Sequence, residues 1–267
     1  MDMYFDRETA TRFAEAEEND KHRRVAKILD RLSLHELKGV PNPLHIVELG
    51  GGAHPDRYDG IFDRLMTEPR GQIDWVDVAP FMLELGGAYL DRKGLSSRKE
   101  VIRFIQQDLL EYLQAAPNAS LDSMLLKYVA AFLSAADFER LTALASKKLK
   151  RGGCLIATQG FLKPEVPSHS TNARYSLNGE LVPEGTTKEL HHGDKIGINF
   201  FNISGDPTSG FLKGAESFQT YHSPEWIREV AQTNGLDCFI GDWSECLPTE
   251  ERGDETLVQP VLVYRRT

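Results

Sequence analysis

The chain has 267 residues, with 31 Lys and Arg against 40 Asp and Glu, a formal net charge of −9. With 40% apolar and 27% charged residues it can bury a sizeable core, which excludes wholesale disorder. No apolar run reaches the ~18–20 residues of a membrane span, the opening residues do not form a secretory signal, and the acidic balance argues against broad nucleic-acid binding. Cys154, Cys238 and Cys246 have neither CxxC spacing nor an even count. A disulfide framework, a structural zinc site or any metal dependence is therefore not expected, and a reducing cytoplasm is the default setting.

Residues 7–18 and 20–34 read as two amphipathic helices. In the second, Val25, Ile28, Leu29 and Leu32 fall at helical spacing. Pro41-Asn-Pro43 ends that regime. Strand and helix patterns then alternate: strand 44–49, helix 56–66, strand 73–78, helix 81–90, strand 101–107, helix 109–115, strand 123–127, helix 135–149, strand 154–158 behind the turn Arg151-Gly-Gly153. Such alternation predicts a parallel, doubly wound sheet with helices on both faces. It breaks at Phe161. Residues 161–222 are rich in Gly, Pro, Ser, Asn and Thr, and Asn178-Gly179 between 174–177 and 180–182 is a hairpin signal. A further strand is expected over 195–203. Ser223-Pro-Glu then caps a helix to about Asn234. Strands 236–243 and 257–264 follow, on a linker too short for a comfortable crossover, so they should pair antiparallel.

The sharpest feature is His45-Ile-Val-Glu48-Leu-Gly50-Gly51-Gly52-Ala53, a buried strand running into glycines and then a helix. Glycine permits the tight turn and lets a ligand lie against the main chain, while the helix start offers N–H groups. A purely structural turn is the plain alternative. Asp77 ends the second strand, where a carboxylate accepts ribose hydroxyls. Asp108 ends the third, where it serves either a ligand or only as a helix cap. Lys127-Tyr128 ends the fourth. All four points lie at the carboxyl ends of consecutive strands, the ligand edge of open α/β sheets.

A nicotinamide-dependent oxidoreductase on a Rossmann-like fold would want G-x-G-x-x-G, but position 55 is Pro. Over residues 44–160 the sequence instead resembles the class I S-adenosylmethionine-dependent methyltransferases. Glu48-Leu-Gly50-Gly51-Gly52 is similar to the family's E/D-x-G-x-G motif, and Leu149-Lys150-Arg151-Gly152-Gly153 to its turn before the fifth strand. The resemblance implies a seven-stranded mixed sheet of order 3-2-1-4-5-7-6. It also implies S-adenosylmethionine as cofactor, with Glu48, Gly50, Gly51, Gly52, Asp77, Val78, Asp108, Leu109 and Lys127 around it. Three features depart from the pattern: His54 stands where a third glycine is common, Arg151 where Pro is common, and the stretch from Gly52 to Asp77 is long.

The expected organisation is one α/β domain over 1–267, with an N-terminal helical segment, 1–40, and an inserted cap, 161–222. The cap would roof the acceptor pocket, cover the sheet edge or form a homodimer. The expected activity is methyl transfer to oxygen or nitrogen of a small organic acceptor, with no nucleic acid or membrane partner. A degenerate, partner-binding module is the non-enzymatic alternative. For a proton acceptor, Tyr221 and His222 lead, ahead of His169, His191 and His192, and Lys127 would steer an anion. Phe200, Phe201, Phe211 and Phe218 suggest an apolar acceptor or pack the cap, and Tyr4 and Phe5 would fold over the cofactor or staple the first helix.

Overall fold

The computed structural model describes residues 7–17, 20–158, 164–170, 173–200, 216–252 and 259–267. Helices α1 (Arg7–Glu17) and α2 (Asp20–Glu36) precede β1 (His45–Leu49). Then come α3 (Asp59–Met66), β2 (Gln72–Asp77), α4 (Pro80–Arg92), β3 (Ile102–Gln106), α5 (Leu109–Ala115), β4 (Leu121–Leu126), α6 (Ala135–Lys148) and β5 (Leu149–Thr158). After the insertion follow α7 (Pro224–Thr233), β12 (Leu236–Asp242), the short helices α8 (Trp243–Cys246) and α9 (Thr249–Arg252), and β13 (Pro260–Arg266). The seven strands order as β12-β13-β5-β4-β1-β2-β3. Taken in chain sequence this is 3-2-1-4-5-7-6, with β13 antiparallel to both neighbours and β1 to β5 parallel.

Two apolar layers sandwich the sheet. On one face Ile46, Ile73 and Trp75 pack with Ile28, Leu29 and Leu32 of α2 and Phe62 and Leu65 of α3. On the other, Val47, Leu49, Val76 and Met124 pack with Leu113 of α5, Phe138 and Leu141 of α6 and Ile227 of α7. Strands covered on both sides are rich in apolar residues, and β4 is buried at every position, Asp122 and Ser123 included. Each such Leu or Ile contributes roughly 1.5–3 kcal/mol on burial. Ser223 caps α7 by accepting from the Trp226 N–H. β5 begins five residues before the expected strand. Arg151-Gly-Gly153 lies within it as an irregularity, where the register with β4 shifts between Leu121 and Ser123. A side chain at Gly153 would press on the carbonyls of Lys150 and Asp122.

The insertion contributes β6 (Glu165–Pro167), β7 (Ala173–Leu177), β8 (Glu180–Leu181), β9 (Thr187–Glu189), β10 (Lys195–Phe200) and β11 (Glu216–Thr220). β11-β10-β7-β8 form one sheet and β6-β9 a second. Asn178 and Gly179 both take positive φ, 51° and 90°, as a two-residue hairpin turn requires. Val166, Val182, Leu190, Ile196, Ile198 and Tyr221 form a core separate from those of the main sheet. Strand β11 packs beside the 3-10 turn Ala130–Phe132 that follows β4. Among the described residues no helix is long and apolar enough to cross a membrane.

One carboxylate sits inside the sheet's polar half. Asp74 is fully buried and accepts from His45 Nε2 (2.9 Å), Gln72 Nε2 (2.6 Å), Arg103 Nε and Nη2 (2.9 and 2.6 Å) and the Tyr112 hydroxyl. Burial opposes its ionisation, but these donors outweigh burial and hold the acid well below the usual carboxylate range. A depressed acid stabilises the fold above its unfolded value and loses that contribution as pH falls. Asp74→Asn is expected to lower unfolding free energy by about 2 kcal/mol at neutral pH, with the gap closing below about pH 4, in urea melts across pH.

Candidate active site

The glycine loop is tied to the neighbouring strand. Gly50 and Gly51 both donate their N–H to the Val76 carbonyl, at 2.8 and 3.0 Å. Asp77 accepts the Gly52 N–H through Oδ2 (2.9 Å) and the Ala79 N–H through Oδ1 (2.8 Å), while Trp75 Nε1 donates to the Gly52 carbonyl (2.8 Å). Gly50 and Gly52 have φ of +70° and +63°, where a side chain is strained. A Cβ at Gly50 would also collide with Val129, and one at Gly51 with the Trp75 indole. The main chain therefore lies flush at the end of β1, between β2 and β4.

The other expected cofactor residues converge on this edge. Val78 follows Asp77 and is 44% exposed. Asp108 is exposed at the end of β3 and caps α5, accepting the N–H groups of Leu110 and Glu111 through Oδ1. The cap that sequence offered as the plain alternative is thus present; it engages one carboxylate oxygen. Leu109 is half-buried beside it.

Glu48 differs from the other buried acids. It is 0% exposed, enclosed with the Tyr58 hydroxyl and the Lys127 main chain as its polar neighbours. Burial pushes its pKa up to about 8, against the pull of the Lys127 charge and the Tyr58 hydroxyl. The Tyr58 hydroxyl is likewise buried, and burial raises it well above its usual value. Asp30 lies near the same group; burial raises it to about 6, opposed by the N–H groups of Ile61 and Gly60 that it accepts.

Tyr128 adds a second unusual feature. It sits in the left-handed region at φ +62°, a strained conformation for an aromatic residue. Its N–H donates to Thr158 Oγ1 (2.8 Å), its hydroxyl to Gln259 Oε1 (3.2 Å), and the His22 ring lies 5.5 Å from its own. His22, Thr158, Gln259 and Tyr58 carried no sequence signal. They arrive from α2, β5, the start of β13 and the loop before α3.

The expected proton acceptors lie elsewhere than at an open rim. Tyr221 is buried in the core of the insertion. His222 is 0% exposed; its Nε2 donates to the Leu133 carbonyl (3.1 Å), and its ring lies 4.7 Å from Phe138 and 5.2 Å from Trp226. Burial lowers its pKa to about 4, so it is neutral at pH 7. His192 stacks on Trp226 at 4.0 Å. His169 contacts Ser168, and His191 is exposed beside Asp194. Tyr4, Phe5, Phe201 and Phe211 lie outside the described residues. Among the described residues no three His, Cys, Asp or Glu are grouped to hold a metal ion.

No protein-family model matches the sequence, and no curated protein matches it. Solved structures do match. An S-adenosylmethionine-dependent methyltransferase from Clostridium acetobutylicum ATCC 824 is similar at TM-score 0.57 and 12% identity, over 96% of this chain and 98% of that one. The fold is that of the class I S-adenosylmethionine-dependent methyltransferases. SAM-bound CalS10, an amino pentose methyltransferase from Micromonospora echinaspora, is similar at TM-score 0.55 and 15% identity, over 95% and 94%. The CcbJ methyltransferase from Streptomyces caelestis follows at 0.52 and 13%, over 90% and 96%.

Glu48 gives a test with a definite sign. An acid raised from 4.5 to about 8 keeps its proton in the folded state where the unfolded chain has released it. Folding stability then falls as pH rises through that window. Ligand-free Glu48→Gln should melt higher than the wild type at pH 8 and like it at pH 4, by scanning calorimetry. An equal or lower melting temperature at pH 8 would contradict a buried acid whose ionisation destabilises the fold.

Proposed function

We propose that the protein is an S-adenosylmethionine-dependent methyltransferase that modifies oxygen or nitrogen of a small organic acceptor. The observation that carries this reading is the glycine loop locked to Asp77 on the ligand edge of a methyltransferase-type sheet, with Asp108 on the next strand. The residues present fit the cofactor. Asp77 would take the ribose hydroxyls, and exposed Val78 offers an apolar face for a purine. Asp108 and the Leu109 N–H would meet its polar edge, and the bare backbone of Gly50–Gly52 allows close approach. Glu48, buried with its acidity suppressed, would suit a cationic amino group, and Lys127 a carboxylate or an anionic acceptor. The bound cofactor supplies a methyl group on a sulfonium, already a good leaving group.

The protein's remaining task is then to hold the acceptor in line and exclude water. Tyr128, held strained after β4, borders the transfer position. Phe132, 43% exposed on the turn beside β11, and Phe218, 54% exposed on β11, offer an apolar wall. This supports a partly apolar acceptor and a cap over residues 161–222. Similar structures include an amino pentose methyltransferase and a geranyl diphosphate methyltransferase, so one fold serves unlike acceptors. Buried beside Phe138 and Trp226 with Nε2 on the Leu133 carbonyl, His222 would fix the Leu133 turn against the insertion, and Tyr221 would pack the cap.

Titration calorimetry with S-adenosylhomocysteine tests the reading. The wild type should bind at micromolar concentration, and Asp77→Ala should bind about 100-fold more weakly, the loss of two hydrogen bonds to a charged group. Folded wild type that binds neither S-adenosylhomocysteine nor S-adenosylmethionine would refute it.

A further inference from the structure

Helix α1 lies on the glycine loop itself. Its buried residues Ala10 and Ala14 form one apolar cluster with Ala53, Ala79, Met82 and Tyr89. The cluster that holds α1 thus includes Ala79, whose N–H Asp77 accepts, and Ala53, next to the Gly52 whose N–H Asp77 accepts. Alanine methyls let the helix approach closely but bury little area. At the rim Arg7 pairs with Glu84 at 2.6 Å and lies over Phe81, both in exposed positions where such contacts contribute little.

The buried polar tie comes from the residue that departs from the family pattern. His54 is 1% exposed. Its Nε2 is 2.8 Å from the Ala14 carbonyl, its Nδ1 3.3 Å from Asp56 Oδ1, and its ring 4.4 Å from Tyr89. Ala14 is itself buried on α1, so this contact ties the inner face of the helix to the turn that follows the glycine loop. Asp56, which faces the other nitrogen, is itself beside Lys93 at 3.7 Å.

We propose that His54 is a positioning residue: it latches α1 across the cofactor cleft and so sets how fast the cofactor and its product leave. The proposal rests on the cofactor reading above, since α1 covers a cleft only if Asp77 holds a ligand. A glycine at position 54 would give the loop the same freedom but no donor for Ala14. The latch thus exchanges part of the glycine pattern for control over the roof of the site.

The test uses His54→Leu, which fills the space without donors, and His54→Gln, which keeps an N–H for the Ala14 carbonyl. Amide exchange over residues 7–17 is followed by mass spectrometry in ligand-free protein, and S-adenosylhomocysteine dissociation by stopped flow. His54→Leu should speed exchange of that segment at least tenfold while β1 and β4 stay protected, and should speed dissociation similarly. His54→Gln should restore both to within a few-fold of wild type. Unchanged exchange in His54→Leu overturns the latch, as does a Gln variant no better than Leu, which would leave only ring packing. Faster exchange with unchanged dissociation overturns the control over ligand release. If His54→Leu melts below the working temperature, His54→Gly makes the same comparison. Wild type that binds no S-adenosylhomocysteine refutes the cofactor reading, and with it the release claim, while the exchange result still decides the docking of α1.

Discussion

The bond between Asp77 and the Gly52 N–H is the constraint on which the site depends. It joins the end of β2 to the turn leaving β1, and with the Val76 carbonyl and the Trp75 indole it clamps three glycines in place. Strand order does the rest. β1 lies between β2 and β4, so the chain turns to one side after β1 and crosses to the other after β3. The crevice opens where those directions diverge. A loop held by backbone bonds on one side and by Val129 on the other has little freedom left to lose when a ligand arrives.

Two buried carboxylates in the sheet are held in opposite ways. Asp74 is surrounded by donors from β1, β2, β3 and α5, and its ionisation is favoured there. Glu48, on the same buried sheet, faces Tyr58 and Lys127, and burial there disfavours its ionisation. Burying a carboxylate with few donors costs about 1–3 kcal/mol or more. Such a cost at a strand's carboxyl end fits a group whose partner arrives with the ligand. The strained Tyr128 backbone lies on the adjacent strand end, so both departures from low energy fall at one edge of the sheet.

Much of this was legible in the sequence because it is local. The alternation from His45 to Thr158, the Asn178-Gly179 turn and the Ser223 cap each depend on neighbours in the chain, and each is present, with only the start of β5 displaced. The strand order came from the resemblance carried by Glu48-Leu-Gly50-Gly51-Gly52. What escaped is non-local. Thr158 and Gln259 meet Tyr128 only because β13 inserts beside β5. His22 is one of several polar residues on α2, with nothing to distinguish it before the helix docks. Tyr221 and His222, expected as proton acceptors just before the last helix, are closed over by Phe138, Leu133 and the insertion's own core. His54 read as a lost glycine, and its partner Ala14 lies 40 residues earlier in the chain.

The most direct test of the central claim is a crystal structure of the protein grown with S-adenosylhomocysteine. The account requires the ribose hydroxyls on Asp77, the purine against Val78 and within reach of Asp108, and the amino-acid end toward Glu48 and Lys127. An ordered ligand bound elsewhere, or one in the crevice that leaves Asp77 untouched, would contradict it.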